Sequence, residues 1–181
     1  MKKTFKMLLT LTLLLAYGSL WAEFVPDPKD QMQLKVADAI LEIQKKDPGL
    51  KDWFSNSAGY AVFPTVGKGG IGVGGAHGKG LVIVGDKVDG KTSMTQVTVG
   101  FQLGGQTYSE FIFFKDKVAL GHFQRGNFEL GAQASAVAAT AGASADAAYD
   151  KGVAIFTNTK AGLMYEASVG GQKFKYESLS N

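Results

Sequence analysis

Between Gly67 and Gly85 nine of nineteen residues are glycine, yet Ile71, Val73, Leu81 and Ile83 keep the rhythm of extended chain through the run. Glycine loses more backbone freedom on folding than any other residue, so this density requires a geometric cause. A flexible linker carries Ser and polar residues in place of Val and Ile. The causes that remain are turns at positive φ, or a surface that another backbone, a lipid or a ligand approaches closely. Function is expected in this segment.

The chain around it divides into a helical start and a strand-rich remainder. Asp27-Pro28 reads as an N-cap followed by Pro at the first helical position. From there to Lys46, Met32, Val36, Ile40 and Ile43 recur at helical spacing, with Leu34, Ala37 and Leu41 beside them. Asp47-Pro48 repeats the signal and starts a short helix through Leu50, Trp53 and Phe54. After Gly59 the pattern predicts strands at Tyr60–Phe63, Ile71–Ala76, Gly80–Val84, Thr92–Leu103, Phe111–Lys115, Phe128–Val137, Val153–Thr157, Leu163–Val169 and Lys173–Tyr176. Asp89-Gly90, Gly104-Gly105 and Gly170-Gly171 are the expected turns between them. Val97, Val99, Phe101 and Leu103 alternate with polar residues or glycine, as in a half-buried strand. Phe111–Phe114 is apolar on both faces and is expected to lie centrally. The ten alanines of Ala132–Ala148 favour helix by propensity, but their alternation predicts a small-residue strand followed by a loop. The predicted fold class is α+β: an antiparallel, twisted, barrel-like sheet with the N-terminal amphipathic helices packed against it.

The N-terminus reads as an export signal. Lys2, Lys3 and Lys6 precede an apolar run from Met7 to Ala16, and cleavage is expected after Ala22 or after Gly18. Residues 1–22 are thus assigned to a signal peptide and 23–181 to a single domain, exported to the periplasm or cell envelope. The whole chain has 19 basic and 16 acidic residues; three basic and no acidic ones lie in 1–22, so the remainder is balanced at 16 each. Global attraction to nucleic acid is therefore not expected. Cysteine is absent, which excludes a disulfide scaffold, a Cys-ligated metal and an acylated lipoprotein Cys.

Motifs for chemistry fail on context. Gly85–Thr92 fits the G-x4-G-K-[ST] phosphate loop, but a β-branched alternating run follows where the mechanism needs a helix N-terminus. The segment reads as a hairpin, and no nucleotide is expected. The overlapping G-x-G-x-x-G matches at Gly67/Gly69/Gly72 and Gly70/Gly72/Gly75 fail for the same reason. His77 and His122 lack ligand spacing, Glu110, Asp116 and Glu129 are scattered, and no nucleophile elbow exists. The chain is read as a non-enzyme with no cofactor, metal or catalytic residue. Lys68 and Lys79 sit in a glycine-rich setting without an adjacent acid, so ammonium groups and backbone amides together can receive a phosphate. Lys35, Lys45 and Lys46 flank the apolar face of the first helix, as in a helix that lies on an anionic bilayer or packs on a sheet.

The residues Gly59-Tyr60-Ala61-Val62-Phe63-Pro64, Val66–Gly70 and Gly72–Gly75 resemble the signature of the SYLF domain family, also called the Ysc84 actin-binding domain. The likeness continues at Gly78–Gly80, Val99–Gly105, Phe111–Phe114, Phe128–Gly131 and Lys160–Leu163. The resemblance implies lipid binding, by phosphoinositide contacts and an amphipathic helix in eukaryotic members, and actin binding in some. It supplies no catalytic residue. Export removes the chain from cytoplasmic actin, so the expected partner is an anionic lipid or membrane surface, with another envelope protein as the second candidate. The expected lipid contacts are Lys35, Lys45, Lys46, Lys68 and Lys79, with a glycine-rich loop formed by Gly67, Gly69, Gly70, Gly72, Gly74 and Gly75. The alternatives are a small outer-membrane β-barrel and an envelope structural or protein-interaction module.

Overall fold

The computed structural model describes residues 24–126, 128–131 and 136–179, with the backbone alone at 100–102 and 161–170. The predicted signal peptide lies outside the described residues.

Helix α1 (Gln31–Lys46) begins three residues later than the Asp27-Pro28 signal predicts. Asp30 is the cap: its Oδ1 accepts from the backbone N–H of Met32 at 2.8 Å and of Gln33 at 3.1 Å, satisfying two orphan donors of the first turn. Asp27 instead accepts the Asp30 N–H in the turn before it. Asp47 ends the helix and takes N–H groups from Gly49 and Ser144, then α2 (Leu50–Asn56) follows.

The three candidate strands of the glycine region are one strand, β1 (Gly59–Val84). Likewise β2 (Lys87–Phe114) and β5 (Val153–Ser178) each fuse several predicted strands, so Gly104-Gly105 and Gly170-Gly171 lie inside strands and are not turns. The β1–β2 hairpin turns at Gly85-Asp86, both at positive φ, with Val84 opposite Lys87. That is the two-residue loop whose twist suits a hairpin. Asp89-Gly90, the predicted turn, is already in β2. Asp89 there accepts from Gln124 Nε2 at 2.7 Å and Tyr176 Oη at 2.6 Å, tying three elements together. The phosphate-loop pattern is thus hairpin and strand, as read from the sequence.

Helix α3 (Lys117–Gln124), capped by Asp116, was not expected. Short β3 (Phe128–Leu130) and β4 (Ala136–Ala138) stand where one strand was predicted; part of that stretch lies outside the described residues. A 3-10 turn at Ala143–Ala145 follows, so the described alanine-rich segment is strand and loop.

The sheet order is β1-β2-β5-β3, with β4 parallel to β5 on the same side as β3. Phe111–Phe114 lies in the central strand and is fully buried, as expected. The sheet is a curled half-barrel, and side chains far apart along it meet. Phe63 is opposite Glu110 and Phe174 is opposite Met94, yet the rings of Phe63 and Phe174 lie 5.6 Å apart. The curl brings the two halves of β1 together at backbone level: a Cβ on Gly80 would stand 2.2 Å from the Val62 carbonyl oxygen. At the bend, Gly72 has φ +71° and a Cβ on Gly70 would stand 2.4 Å from Gly74 Cα. These contacts are the geometric cause that the glycine density required.

Alternation divides the core between two faces. On the inner face Ala61, Phe63, Ile112 and Phe114 cluster with Leu120 and Phe123 of α3 and with Phe174. On the outer face Val62, Leu81, Ile83, Phe111 and Phe113 cluster with Val36, Ala39, Ile40 and Ile43 of α1.

Candidate functional site

Beyond the edge of α1 the outer face is bare, and its pattern inverts the usual one. Ile71, Val73, Val97, Val99 and Leu103 are 79%, 61%, 61%, 62% and 53% exposed, whereas Thr98 is buried. The alternation expected for the half-buried strand is present, but its apolar side faces out and its polar side faces in. Isolated exposed apolar side chains are ordinary; a contiguous set marks an interaction surface.

Register arranges this set in rows. Val73 is opposite Val99, and Ile71 is opposite Leu103; residues directly opposite share a face. Gly75 pairs with Val97, His77 with Thr95, and Lys79 with Ser93, which continues to Lys175 on β5. Two residues advance a strand by roughly 6.6–6.8 Å. A basic row at Lys79 and Lys175 thus lies about 20 Å from an apolar row at Val73 and Val99 on one surface. Between Lys79, Lys91, Lys175 and the start of α1 runs a groove of about 590 Å³ that Asp30, Met32, Tyr176 and Leu179 also line. Lys91 helps hold the Asp30 carboxyl below its ordinary value, after the dominant effect of the Gln33 N–H. Lys91 and Lys175 were missed by sequence reading because only the pairing register sets them beside Lys79.

The five lysines singled out from the sequence fall in separate places. Lys79 is exposed on the basic row. Lys35, Lys45 and Lys46 are exposed on α1; Lys46 Nζ donates to Asn158 Oδ1 of β5, at the opposite end of the helix from Asp30. Lys68 is half-buried and turns inward, opposite Gln106. The apolar stripe of α1 lies in the outer-face core, so the helix is not a free amphipathic element. Gly67, Gly69, Gly70, Gly72, Gly74 and Gly75 form no loop: all lie within β1, and the bend at Gly72 is a break of register in a strand.

Lys68 reaches a second feature, a cleft of about 200 Å³ on the inner face, lined also by Gln96, Gln106, Glu110, Thr157 and Gln172. Glu110 is 1% exposed. Its Oε2 accepts from Gln172 Nε2 at 2.8 Å, while the sealed Oε1 has no hydrogen-bond partner among the described residues. Burial raises the Glu110 carboxyl to about 7, against smaller opposing effects of the Gln172 hydrogen bond and the Lys68 charge. In the sequence Glu110 is one of three scattered carboxylates, with Asp116 and Glu129; the curl of the sheet buries it. Among the described residues no group of three or more His, Cys, Asp or Glu could hold a metal ion. His77 is a strand residue, its Nδ1 3.4 Å from Thr95 Oγ1.

The curled sheet thus carries an exposed apolar row and a basic row on one face. Residues 95–181 match the family model for Ysc84, described as Las17-binding protein actin regulator. This match covers just under half of the chain, which together with the glycine signature at Gly59–Gly75 makes the chain similar to the Ysc84, or SYLF, family. It is also 28% identical over 156 residues to Beta cell expansion factor A of Aeromonas veronii, an alignment that covers 82% of this chain and 59% of the relative. The chain spans about three fifths of the length of that relative.

Proposed function

We propose that this protein is a non-enzymatic domain that docks on an anionic membrane surface of the cell envelope through the outer face of its curled sheet. The observation that carries the reading is the apolar row of Ile71, Val73, Val97, Val99 and Leu103 on the same register-defined surface as the lysine row at Lys79 and Lys175, about 20 Å along it. Apolar-out, polar-in alternation is the pattern of strands that meet lipid. No described helix is long and apolar enough to cross a membrane. The described sheet is open, in the order β1-β2-β5-β3, so among the described residues it forms no eight-stranded barrel. The match of residues 95–181 to the Ysc84 family model supports a lipid- or actin-binding type of domain.

In this mechanism the rim at Val73 and Val99 enters the acyl boundary. Lys79, Lys91 and Lys175 then meet headgroup phosphates, each adding about 1 kcal/mol at an anionic surface. Burial of an apolar side chain contributes roughly 1.5–3 kcal/mol when complete, so partial insertion of five gives reversible binding of useful strength. The first helix remains docked, and Lys35, Lys45 and Lys46 serve only as peripheral attraction. Vesicle flotation tests the reading. V73D/V99D is expected to lose binding to phosphatidylglycerol-containing vesicles at least tenfold with its melting temperature unchanged, since both side chains are exposed. Equal flotation of variant and parent would remove the rim from the mechanism.

A further inference from the structure

Lys79, Ser93 and Lys175 stand opposite one another on β1, β2 and β5, in one row across the outer face. Neighbouring strands lie about 4.8 Å apart, so the two lysines leave the backbone about 10 Å from each other, with Ser93 between them. Their long stems let both ammonium groups converge on an anion seated at Ser93. Such an anion also relieves the repulsion between the two like charges. Lys91 is placed differently: Glu177 is its partner in register, and its charge acts on Asp30.

The row forms one wall of the groove between the sheet and the start of α1. Three ammonium groups there, of Lys79, Lys91 and Lys175, face two carboxylates, of Asp30 and Glu177, which leaves a net of one positive charge. A singly charged head matches that balance; a doubly charged phosphomonoester exceeds it. A small inorganic anion leaves most of the space empty, because the groove of about 590 Å³ lies within the ~300–1,000 Å³ of sites that enclose whole organic ligands. The rest of the wall says what fills it. Met32 at the helix start and Val88 and Tyr176 on the strands are half-buried, and Leu179 is 46% exposed. A hydrocarbon chain laid along these accessible apolar groups is withdrawn from water together with them. A nucleotide or a sugar would set polar groups against them, and a cationic ligand would be repelled by the lysine pair. The groove is single, so the occupant has one chain.

We propose that this groove binds one fatty acid, its carboxylate between Lys79, Ser93 and Lys175 and its hydrocarbon chain along Met32, Val88 and Leu179. The Ser93 hydroxyl and the two ammonium groups donate to the carboxylate oxygens. The assignment rests on the membrane reading for the source of the ligand, which leaves the bilayer on which the outer face docks and sets its carboxylate where a headgroup phosphate would lie. The apolar row at Val73 and Val99, about 20 Å away, takes no part in it.

The test is a calorimetric titration of the purified protein, without vesicles, with sodium dodecanoate kept below its micelle-forming concentration, while the Met32 methyl resonance is followed by NMR. Saturable binding at micromolar concentration with a shift of that methyl is expected. Hexanoate, with the same head and a short tail, and dodecyl maltoside, with the same tail and a neutral head, are each expected to bind at least tenfold more weakly. K79E/K175E is expected to weaken dodecanoate binding at least tenfold with the melting temperature unchanged, since both side chains are exposed. V73D/V99D is expected to bind dodecanoate as the parent does while losing vesicles, so failure of the groove and failure of the membrane row are read separately. Absence of saturable dodecanoate binding overturns the proposal. So does binding that K79E/K175E leaves intact, or that hexanoate or dodecyl maltoside equals.

Discussion

Replacing Glu110 with Gln should change how stability depends on pH, and the sign follows from burial. The folded carboxyl is raised from an ordinary 4.5 to about 7. Between those values the folded protein holds a proton that the unfolded chain has released, so stability falls as pH rises through the window and levels off above about 7. At about 1.4 kcal/mol per unit, the shift corresponds to about 3 kcal/mol between pH 4.5 and 8. Glutamine keeps an acceptor for Gln172 Nε2 but carries no charge. The variant should therefore be flat over this window and exceed the parent at pH 8 by up to about 3 kcal/mol, roughly 6–12 °C in melting temperature for a domain of this size. Urea melts of both proteins from pH 5 to 8 provide the assay. Parallel profiles would refute the reasoning, because they would mean that Glu110 is ionised at no cost and hence not sealed by the curl. Below pH 4 both proteins should weaken together. Burial acts to raise Asp47, but hydrogen bonds from Ser144 and Gly49 outweigh it, and the lowered Asp47 and Asp30 carboxyls lose their stabilising contribution there.

Three further outcomes are expected. Gly80→Ala places a methyl 2.2 Å from the Val62 carbonyl oxygen, and thermal melts should show a loss of roughly 1–3 kcal/mol or a failure to fold. Asp47→Ala removes the acceptor of the Ser144 N–H at 2.7 Å and the Gly49 N–H at 3.1 Å; denaturant melts should show a loss of about 1–3 kcal/mol. Lys79→Glu with Lys175→Glu should abolish the preference for anionic over neutral vesicles in flotation, whereas Lys45→Glu with Lys46→Glu should have a smaller effect.

What the sequence disclosed depended on how local its cause was. The first helix was legible because Val36, Ile40 and Ile43 repeat within a few turns, and the central place of Phe111–Phe114 because both faces are apolar. Strand lengths were not. Glycine pairs such as Gly104-Gly105 signal turns in isolation, but here they let long strands bend while pairing continues. Helix α3 has its cap at Asp116, but it is only eight residues long and follows directly on a strand, so its apolar residues show little periodicity. At the outer face the alternation of Val97, Val99 and Leu103 was read correctly and its direction was not, since period-two patterning does not say which side meets solvent. Glu110 and Lys68 lie 42 positions apart, and only the hairpin register with the curl brings them to one cleft. Lys91 and Lys175 join Lys79 for the same reason.

The central strand also sets an order of assembly. β2 closes on β1 through a two-residue turn, but from Gly90 to Phe114 its other side waits for β5, whose last paired residue is Ser178. A fragment lacking β5 would present a raw, hydrogen-bond-hungry margin of β2, including its most apolar segment Phe111–Phe114, whose partners are Val153–Phe156. Such a fragment is built to clump, so no part of this sheet is safe from its neighbours until β5 is in place.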